Sequence, residues 1–438
     1  MLFRSRFIDE GGGESRRSIG LGADYAYMVA GRLLTIVDTR VKRMFVVDRG
    51  ANTFSSESFH SLVSARSMDL DDRVETYQDK LKAAGRFAPP GLEDPFWIET
   101  DAGMTSPDLP RPQLGRTPVP NGGMQYRYRN ESVARFTPAE SDVSEAELKN
   151  LFRLIRHAMP IHPDILAAMA ESKKVPSVLS YAWPEGDQLV EAQYRLVGLR
   201  RVDNVDYPLP EDAVPHIAAS GDAAEFIKGL EPVLAAAAAG THGGGPRTAE
   251  SYRNAISAEF EAGPNLGTVL TYVEFISNFG PRVVSCPEPP DPAVKCRTIK
   301  EVIDRAGERD NRVRPYVTSI FGQARDPDRV VESWGKLNRD GLNNAYVMDI
   351  PAANALTLGG PSDVKRAREL WTGILNSNAY LGSVYKDIGD HLMREFDPAG
   401  AWLFWDMGRA LPNNTSASLL DKIAPFEQKL VEDYPDYY

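Results

Sequence analysis

Short runs of alternating apolar and polar residues dominate the first part of the chain. Residues 18–21, 25–29, 32–37 and 43–47 are rich in β-branched and aromatic side chains, and turn-forming residues separate one run from the next. Short strands joined by tight turns are typical of an antiparallel meander. We therefore predict an antiparallel sheet over residues 1–57.

The spacing becomes helical after residue 144. Ser144 and Glu147 have the separation of a capping box. An apolar stripe at i, i+3, i+4 and i+7 follows them: Leu148, Leu151, Phe152 and Ile155. Because strand patterns return at 177–182 and 189–197, we expect residues 1–210 to form an α+β domain, a curved antiparallel sheet with helices packed against one face.

A proline-rich passage interrupts this half of the chain. Prolines recur throughout residues 87–123, where each removes a backbone donor and fixes one dihedral angle. We predict a long irregular loop or lid over this passage.

The strand pattern ends after Pro210. Residues 221–239 are rich in alanine and predict a helix that ends at Gly240, and residues 248–438 show helical spacing punctuated by glycine and proline. We expect three parts: a sheet domain over 1–210, a helix with a glycine-rich linker over 211–247, and an all-α domain over 248–438.

The expected linker contains a motif that also occurs in enzymes. His242-Gly243-Gly244-Gly245 matches the loop that forms the oxyanion hole of many lipases and esterases. That chemistry needs a Gly-x-Ser-x-Gly turn, which the chain lacks, and a strand before the loop, where this chain has its alanine-rich helix. We therefore interpret residues 240–246 as a flexible joint between two domains.

The overall charge limits the expected partners. The formal net charge is −11, so we expect no broad phosphate-neutralising surface and no binding to nucleic acid. No apolar run approaches 18 residues, so the sequence predicts no transmembrane segment.

The pattern singles out no catalytic, cofactor-binding or metal-binding residue. His157 and His162 lie on either side of Pro160 without the spacing of a zinc-binding helix, so we predict ordinary helix-end histidines. Neither common glycine-rich phosphate motif is present, and no cofactor is expected. Carboxylates are abundant, which leaves open an alternative: a hydrolase that uses Asp and Glu in a cleft under the 87–123 loop.

Two cysteines stand close together in a proline-rich segment. Cys286 and Cys296 form either a disulfide or a pair of free thiols. A disulfide indicates an oxidising compartment. Two cysteines alone do not make a structural zinc site.

The end of the chain resembles tetratricopeptide repeats. The residues that follow the spacing of that repeat are Tyr385, Ile388, Gly389, Leu392, Ala401, Trp405, Gly408 and Pro412. Ala367, Trp371 and Ile374 match one repeat earlier, whereas Leu392, Gly408 and the position of Pro412 depart from the pattern. The resemblance covers about 340–412 and implies paired helices that bind a protein partner, with a last helix from 418 to 434 as a polar cap.

The first half is similar in the order of its elements to bacterial lipoprotein carriers of the LolA and LolB type. In that family a curved antiparallel sheet encloses an apolar cavity, which implies a lipid or another apolar ligand and a periplasmic or envelope location. A strand pattern already begins at Leu2, which leaves open a leader that was removed or a start that was assigned too late. A cytoplasmic location is the alternative.

These features favour a non-catalytic binding or scaffold protein over an enzyme. The sheet domain is expected to bind an apolar ligand or a partner, and the helical repeats are expected to bind another protein. The carboxylate hydrolase is the alternative.

Overall fold

A computed structural model describes residues 2–8, 14–84, 94–185, 188–201, 207–217, 223–286, 296–322, 327–412 and 417–438. The chain forms two compact units, residues 1–218 with 429–438, and residues 219–428. Strands belong to the first unit and the second is helical, so the α+β prediction with a helical C-terminal region is confirmed.

One sheet organises the first unit. Its described strands are β1 Leu2–Ile8, β2 Glu14–Leu21, β3 Tyr25–Ala30, β4 Leu33–Asp38, β5 Arg43–Asp48, β6 Thr53–Ser58, β7 Leu114–Val119, β8 Gly123–Tyr128, β9 Glu131–Pro138, β10 Pro176–Glu185, β11 Gln188–Arg200 and β12 Val214–Pro215. The order is β12-β6-β5-β4-β3-β2-β1-β11-β10-β9-β8-β7. Two meanders therefore meet where β1 pairs antiparallel with β11, and the two-residue β12 runs parallel to β6.

Helices pack on this sheet as the sequence predicts. The helices are α1 Phe59–Ala84, α2 Pro95–Ala102, α3 Glu145–Ala158 and α4 Pro163–Glu171. The capping box at Ser144 and Glu147 is formed, and the apolar stripe of α3 is buried against β2, β3 and β4. Burial of this stripe joins helix and sheet in one core.

The passage expected to be an irregular loop is more ordered than predicted. Residues 85–93 lie outside the described part, but the rest of 87–123 contains α2 and β7. Pro95 stands in the first turn of α2, where its missing N–H costs nothing, and Asp94 caps the helix by accepting from the N–H of Phe96. Proline here begins a helix rather than preventing one.

The last residues of the chain belong to the first unit and not to the helical domain that the sequence predicts. Tyr437 is buried, with its ring beside the guanidinium groups of Arg66 and Arg156. The hydroxyl of Tyr438 lies 3.0 Å from Nδ1 of His60. These contacts anchor the segment after Lys429 on α1 and α3.

The second unit contains only helices among its described residues. They are α5 Ala224–Ala238, α6 Ala249–Ala262, α7 Leu266–Val284, α8 Ile299–Gly307, α9 Val313–Gly322, α10 Pro327–Gly335, α11 Asp349–Leu356, α12 Pro361–Ser377, α13 Gly382–Arg394, α14 Pro398–Ala410 and α15 Ala417–Asp433, which continues into the first unit. No described helix has both the length and the apolarity needed to cross a membrane.

The residues that carry the repeat resemblance lie on α13, α14 and the turn after α14. All are buried except Pro412, which is exposed. Gly389 permits a close approach of α13 to α14, because a Cβ atom at this position would lie 2.3 Å from Nε1 of Trp405. The assignment to tetratricopeptide repeats stays a prediction.

A disulfide joins Cys286 to Cys296. It connects the segment after α7 to the segment before α8, and residues 287–295 lie outside the described part. The cross-link fixes the C-terminal end of α7 relative to the next helix.

Replacing Gly389 with alanine tests the close approach of α13 and α14. The new methyl group displaces the Trp405 ring, and we expect a loss of about 1–3 kcal/mol in the free energy of unfolding. Gly373→Ala on α12 is the control, since no atom lies within 4 Å of its Cβ position; alanine there adds about 0.5–1 kcal/mol. Urea unfolding measures both. Equal effects would contradict the packing described.

Replacing Cys286 and Cys296 together with serine tests the cross-link. We expect a loss of about 2–4 kcal/mol in the free energy of unfolding, because the unfolded chain gains freedom. Denaturant unfolding of the double variant and of the unreduced protein measures the difference. Iodoacetamide labelling of the unreduced, unfolded protein at either cysteine would contradict the disulfide.

Candidate functional site

A cavity of about 600 Å³ lies within the second unit. We call it the polar cavity. Its walls come from α6, α7, the glycine turn before α6, and segments around 341–346 and 377–380. The volume is in the range of pockets that bind small molecules.

The floor of the polar cavity is a row of buried polar side chains on α7, which we call the polar stripe. It consists of Thr268, Thr271, Glu274 and Asn278, which recur at helical spacing and are each at most 5 % exposed. Many other residues of α7 are apolar, and Val269, Leu270 and Phe275 among them are buried. Buried polar groups are costly unless hydrogen-bonded, so this stripe needs partners from other segments.

Oε1 of Glu274 accepts hydrogen bonds from two such partners. The hydroxyl of Tyr252 on α6 donates to Oε1 at 2.7 Å, and Nδ2 of Asn378 donates to the same atom at 2.8 Å. Burial, together with the nearby charge of Glu274, raises the pKa of Tyr252 and of Tyr346, so both phenols stay protonated as donors.

Arg247 lies at the same carboxylate. Its Nη1 atom is 3.8 Å from Oε1 of Glu274, and its guanidinium carbon lies 3.9 Å from the centroid of the Tyr252 ring. The ring of Tyr252 also stacks on Phe275, with centroids 5.3 Å apart. The walls of the polar cavity thus hold one cation already, by charge and by cation–π attraction.

Glu259 on α6 is the second carboxylate of the polar cavity. Burial raises its pKa, the hydroxyls of Thr268 and Thr271 and the charge of Arg247 oppose this rise, and the charge of Glu274 adds to it. The hydroxyl of Thr271 lies 3.4 and 3.3 Å from its two oxygens. This half-buried carboxylate is a group that a ligand can reach.

The glycine turn lies inside the second unit, because the unit boundary is at residue 218. The sequence suggested a joint between two domains, but the turn connects α5 to α6 within one unit. Gly243 and Gly245 have positive φ angles of 51° and 97°, which side chains rarely adopt, and Tyr380 donates to the carbonyl of His242 at 3.1 Å. The turn forms one wall of the polar cavity.

The histidines singled out in the sequence lie at helix ends, as predicted. His157 lies in the last turn of α3, where burial and the neighbouring Arg66 and Arg156 lower its pKa to about 3. His162 caps α4, and its Nε2 atom is 3.1 Å from Oε2 of Glu99.

The buried carboxylates of the proline-rich passage have structural partners. Glu99 accepts from the N–H of Ser106 at 2.7 Å and contacts His162, and Asp94 accepts from Tyr128 and Arg129. Within the described residues, no group of three or more His, Cys, Asp or Glu side chains is placed to hold a metal ion. The strongest candidate for chemistry is therefore the polar cavity.

Comparison with protein-family models, curated proteins and solved structures finds no match to this chain. The functional argument therefore rests on the geometry of the polar cavity.

Apart from the glycine turn, which was interpreted as a joint between domains, sequence reasoning missed the residues of the polar cavity. One signal was present, since Thr268, Thr271, Glu274 and Asn278 recur at helical spacing within an otherwise apolar helix. Such a row on a buried helix indicates either a polar network or a ligand site. The partners Tyr252 and Asn378 gave no comparable signal, because Asn378 lies 104 residues from Glu274.

Replacing Glu259 with glutamine tests its electrostatic state. Its pKa is raised in the folded protein, so the ionised form is destabilising, and this effect develops as pH rises through the ordinary glutamate range and levels off above the folded pKa. We expect the stability of Glu259→Gln relative to wild type to increase with pH over this interval. Thermal unfolding from pH 4 to 9 measures it.

Glu261→Gln is the control for this experiment, because Glu261 is exposed on the same helix. Its stability difference from wild type should not vary in the same way. A pH-independent difference for Glu259→Gln would contradict the raised pKa.

Proposed function

We propose that this protein is a non-catalytic binding protein whose helical unit holds a small polar ligand in the polar cavity. One observation carries the proposal: the polar stripe lies in the interior of the unit, beside a cavity of small-molecule size. Part of this stripe has internal partners, since Thr268 closes the capping box of α7 and Glu274 accepts from Tyr252 and Asn378. The same side chains line the cavity, where an occupant can bind to them.

The proposal keeps two roles that the sequence suggested. The paired helices around 340–412 are a surface for a protein partner, by their resemblance to tetratricopeptide repeats. The sheet unit is a site for an apolar ligand or partner, by its similarity to lipoprotein carriers. The disulfide at Cys286 supports an oxidising location such as the cell envelope.

A second candidate function is hydrolysis within the same cavity. Glu259 has a raised pKa and lies in one pocket with Glu274, which is the environment that general acids use. Glu274 already accepts two hydrogen bonds at Oε1, which favours binding over catalysis. Product formation from a bound ligand, lost in Glu259→Gln, would support the hydrolase instead.

Blocking the polar cavity tests the binding function. Ala262, the last residue of α6, is exposed and lines the cavity, so we expect tryptophan there to take up space in the cavity without entering the core. We expect at least one class among amino acids, monosaccharides, dicarboxylates and polyamines to stabilise wild type, by about 2.7 kcal/mol at 100 times Kd. The variant Ala262→Trp should lose this stabilisation, which differential scanning fluorimetry measures.

Ala258→Trp is the matched control, because Ala258 is exposed on the same helix but does not line the cavity. It should respond to the ligand like wild type. If both variants keep the stabilisation, the ligand binds elsewhere and the proposal is wrong.

A further inference from the structure

The polar cavity is lined by two carboxylates and one guanidinium group. Among the described residues that line it, Glu259 and Glu274 are the acidic side chains, Arg247 is the basic one, and His242 is the histidine. Arg247 lies beside Glu274, with 3.8 Å between Nη1 and Oε1. Arg247 also acts on Glu259, because its charge lowers the pKa of that carboxyl group, but one guanidinium cannot neutralise two carboxylates. With both glutamates ionised the cavity keeps a net negative charge that an occupant can balance.

Glu259 is hydrogen-bonded by the hydroxyls of Thr268 and Thr271, which are both neutral donors. The hydroxyl of Thr271 lies 3.1 Å from the carbonyl oxygen of Gly267, closer than it lies to either oxygen of Glu259. One hydroxyl hydrogen donates to one acceptor at a time, so its bond to Glu259 is weak. A charged donor forms a stronger bond to a carboxylate than a hydroxyl does.

The chain itself shows how this cavity holds a cation. Arg247 is stabilised by the face of Tyr252 and by the carboxylate of Glu274. Tyr346 and Tyr380 bring further aromatic rings to the cavity, and Asn265 and Asn344 bring amides. These are the groups that surround ammonium and guanidinium ions in protein sites.

We infer that the polar cavity binds a small ligand with a protonated amine or guanidinium, and that this cationic group pairs with Glu259. The inference rests on the proposed binding function of the cavity and names the class of its ligand. A neutral sugar or a dicarboxylate would leave the charge of Glu259 uncompensated or repel it.

Two matched pairs of probes test the inference on the full-length protein. n-Butylguanidinium is compared with n-butylurea, which replaces the guanidinium by a neutral urea, and 1,5-diaminopentane is compared with 1,5-pentanediol. Isothermal titration calorimetry is expected to show the charged member of at least one pair binding 10-fold or more tightly than its neutral partner. In Glu259→Gln the preference should fall by about 10- to 100-fold, whereas Glu261→Gln should retain it.

Other outcomes separate this inference from the proposed function. Equal binding of charged and neutral members, or a preference unchanged in Glu259→Gln, overturns the cationic class but leaves a ligand-binding cavity. If a monosaccharide or a dicarboxylate binds tightly and Ala262→Trp abolishes this binding, the cationic class is likewise overturned and the ligand-binding cavity remains. No binding of either cationic probe at millimolar concentration also overturns the inference. Circular dichroism of each variant confirms that loss of binding is not loss of folding.

Discussion

The second unit depends on one carboxylate that is buried in its interior. Glu274 is 2 % exposed on a helix that also buries large apolar side chains such as Leu270 and Phe275. A charge in this position is tolerated only if other segments bring donors to it. Tyr252 from α6, Asn378 from the end of α12, and Arg247 from the turn before α6 do so. Their convergence on one oxygen fixes the walls of the polar cavity.

The two units use buried polar groups differently. In the first unit Asp94 and Glu99 accept hydrogen bonds from backbone and side-chain donors around them, so each holds a passage of chain in place. In the second unit Glu259 is hydrogen-bonded by the hydroxyls of Thr268 and Thr271, the latter at 3.4 and 3.3 Å, and it lines the polar cavity. Saturated carboxylates are typical of structural networks, and under-satisfied ones beside a cavity are typical of ligand sites. The second unit thus combines a half-buried carboxylate with a cavity, which supports the proposed binding role.

Features set by neighbouring residues could be predicted from the sequence, and those set by distant residues could not. The capping box at Ser144 and the stripe of α3 depend on residues one or two turns apart, so periodicity is enough to find them. The helix in the proline-rich passage was missed because a proline in a first helical turn resembles a proline in a loop. The polar cavity needs Asn344 and Asn378, whose approach to α7 depends on tertiary packing alone.

The ends of the open sheet have a consequence for contacts with other chains. An exposed edge strand offers unpaired backbone groups to any extended segment. Edge strand β7 carries Arg116 and Pro118 and is largely exposed, and the opposite end is β12, only two residues long and containing Pro215. Proline removes backbone donors, charge disfavours stacking against another sheet, and a two-residue strand offers little length for pairing. The protein can therefore keep a wide open sheet in water with little tendency to extend it strand by strand into an aggregate.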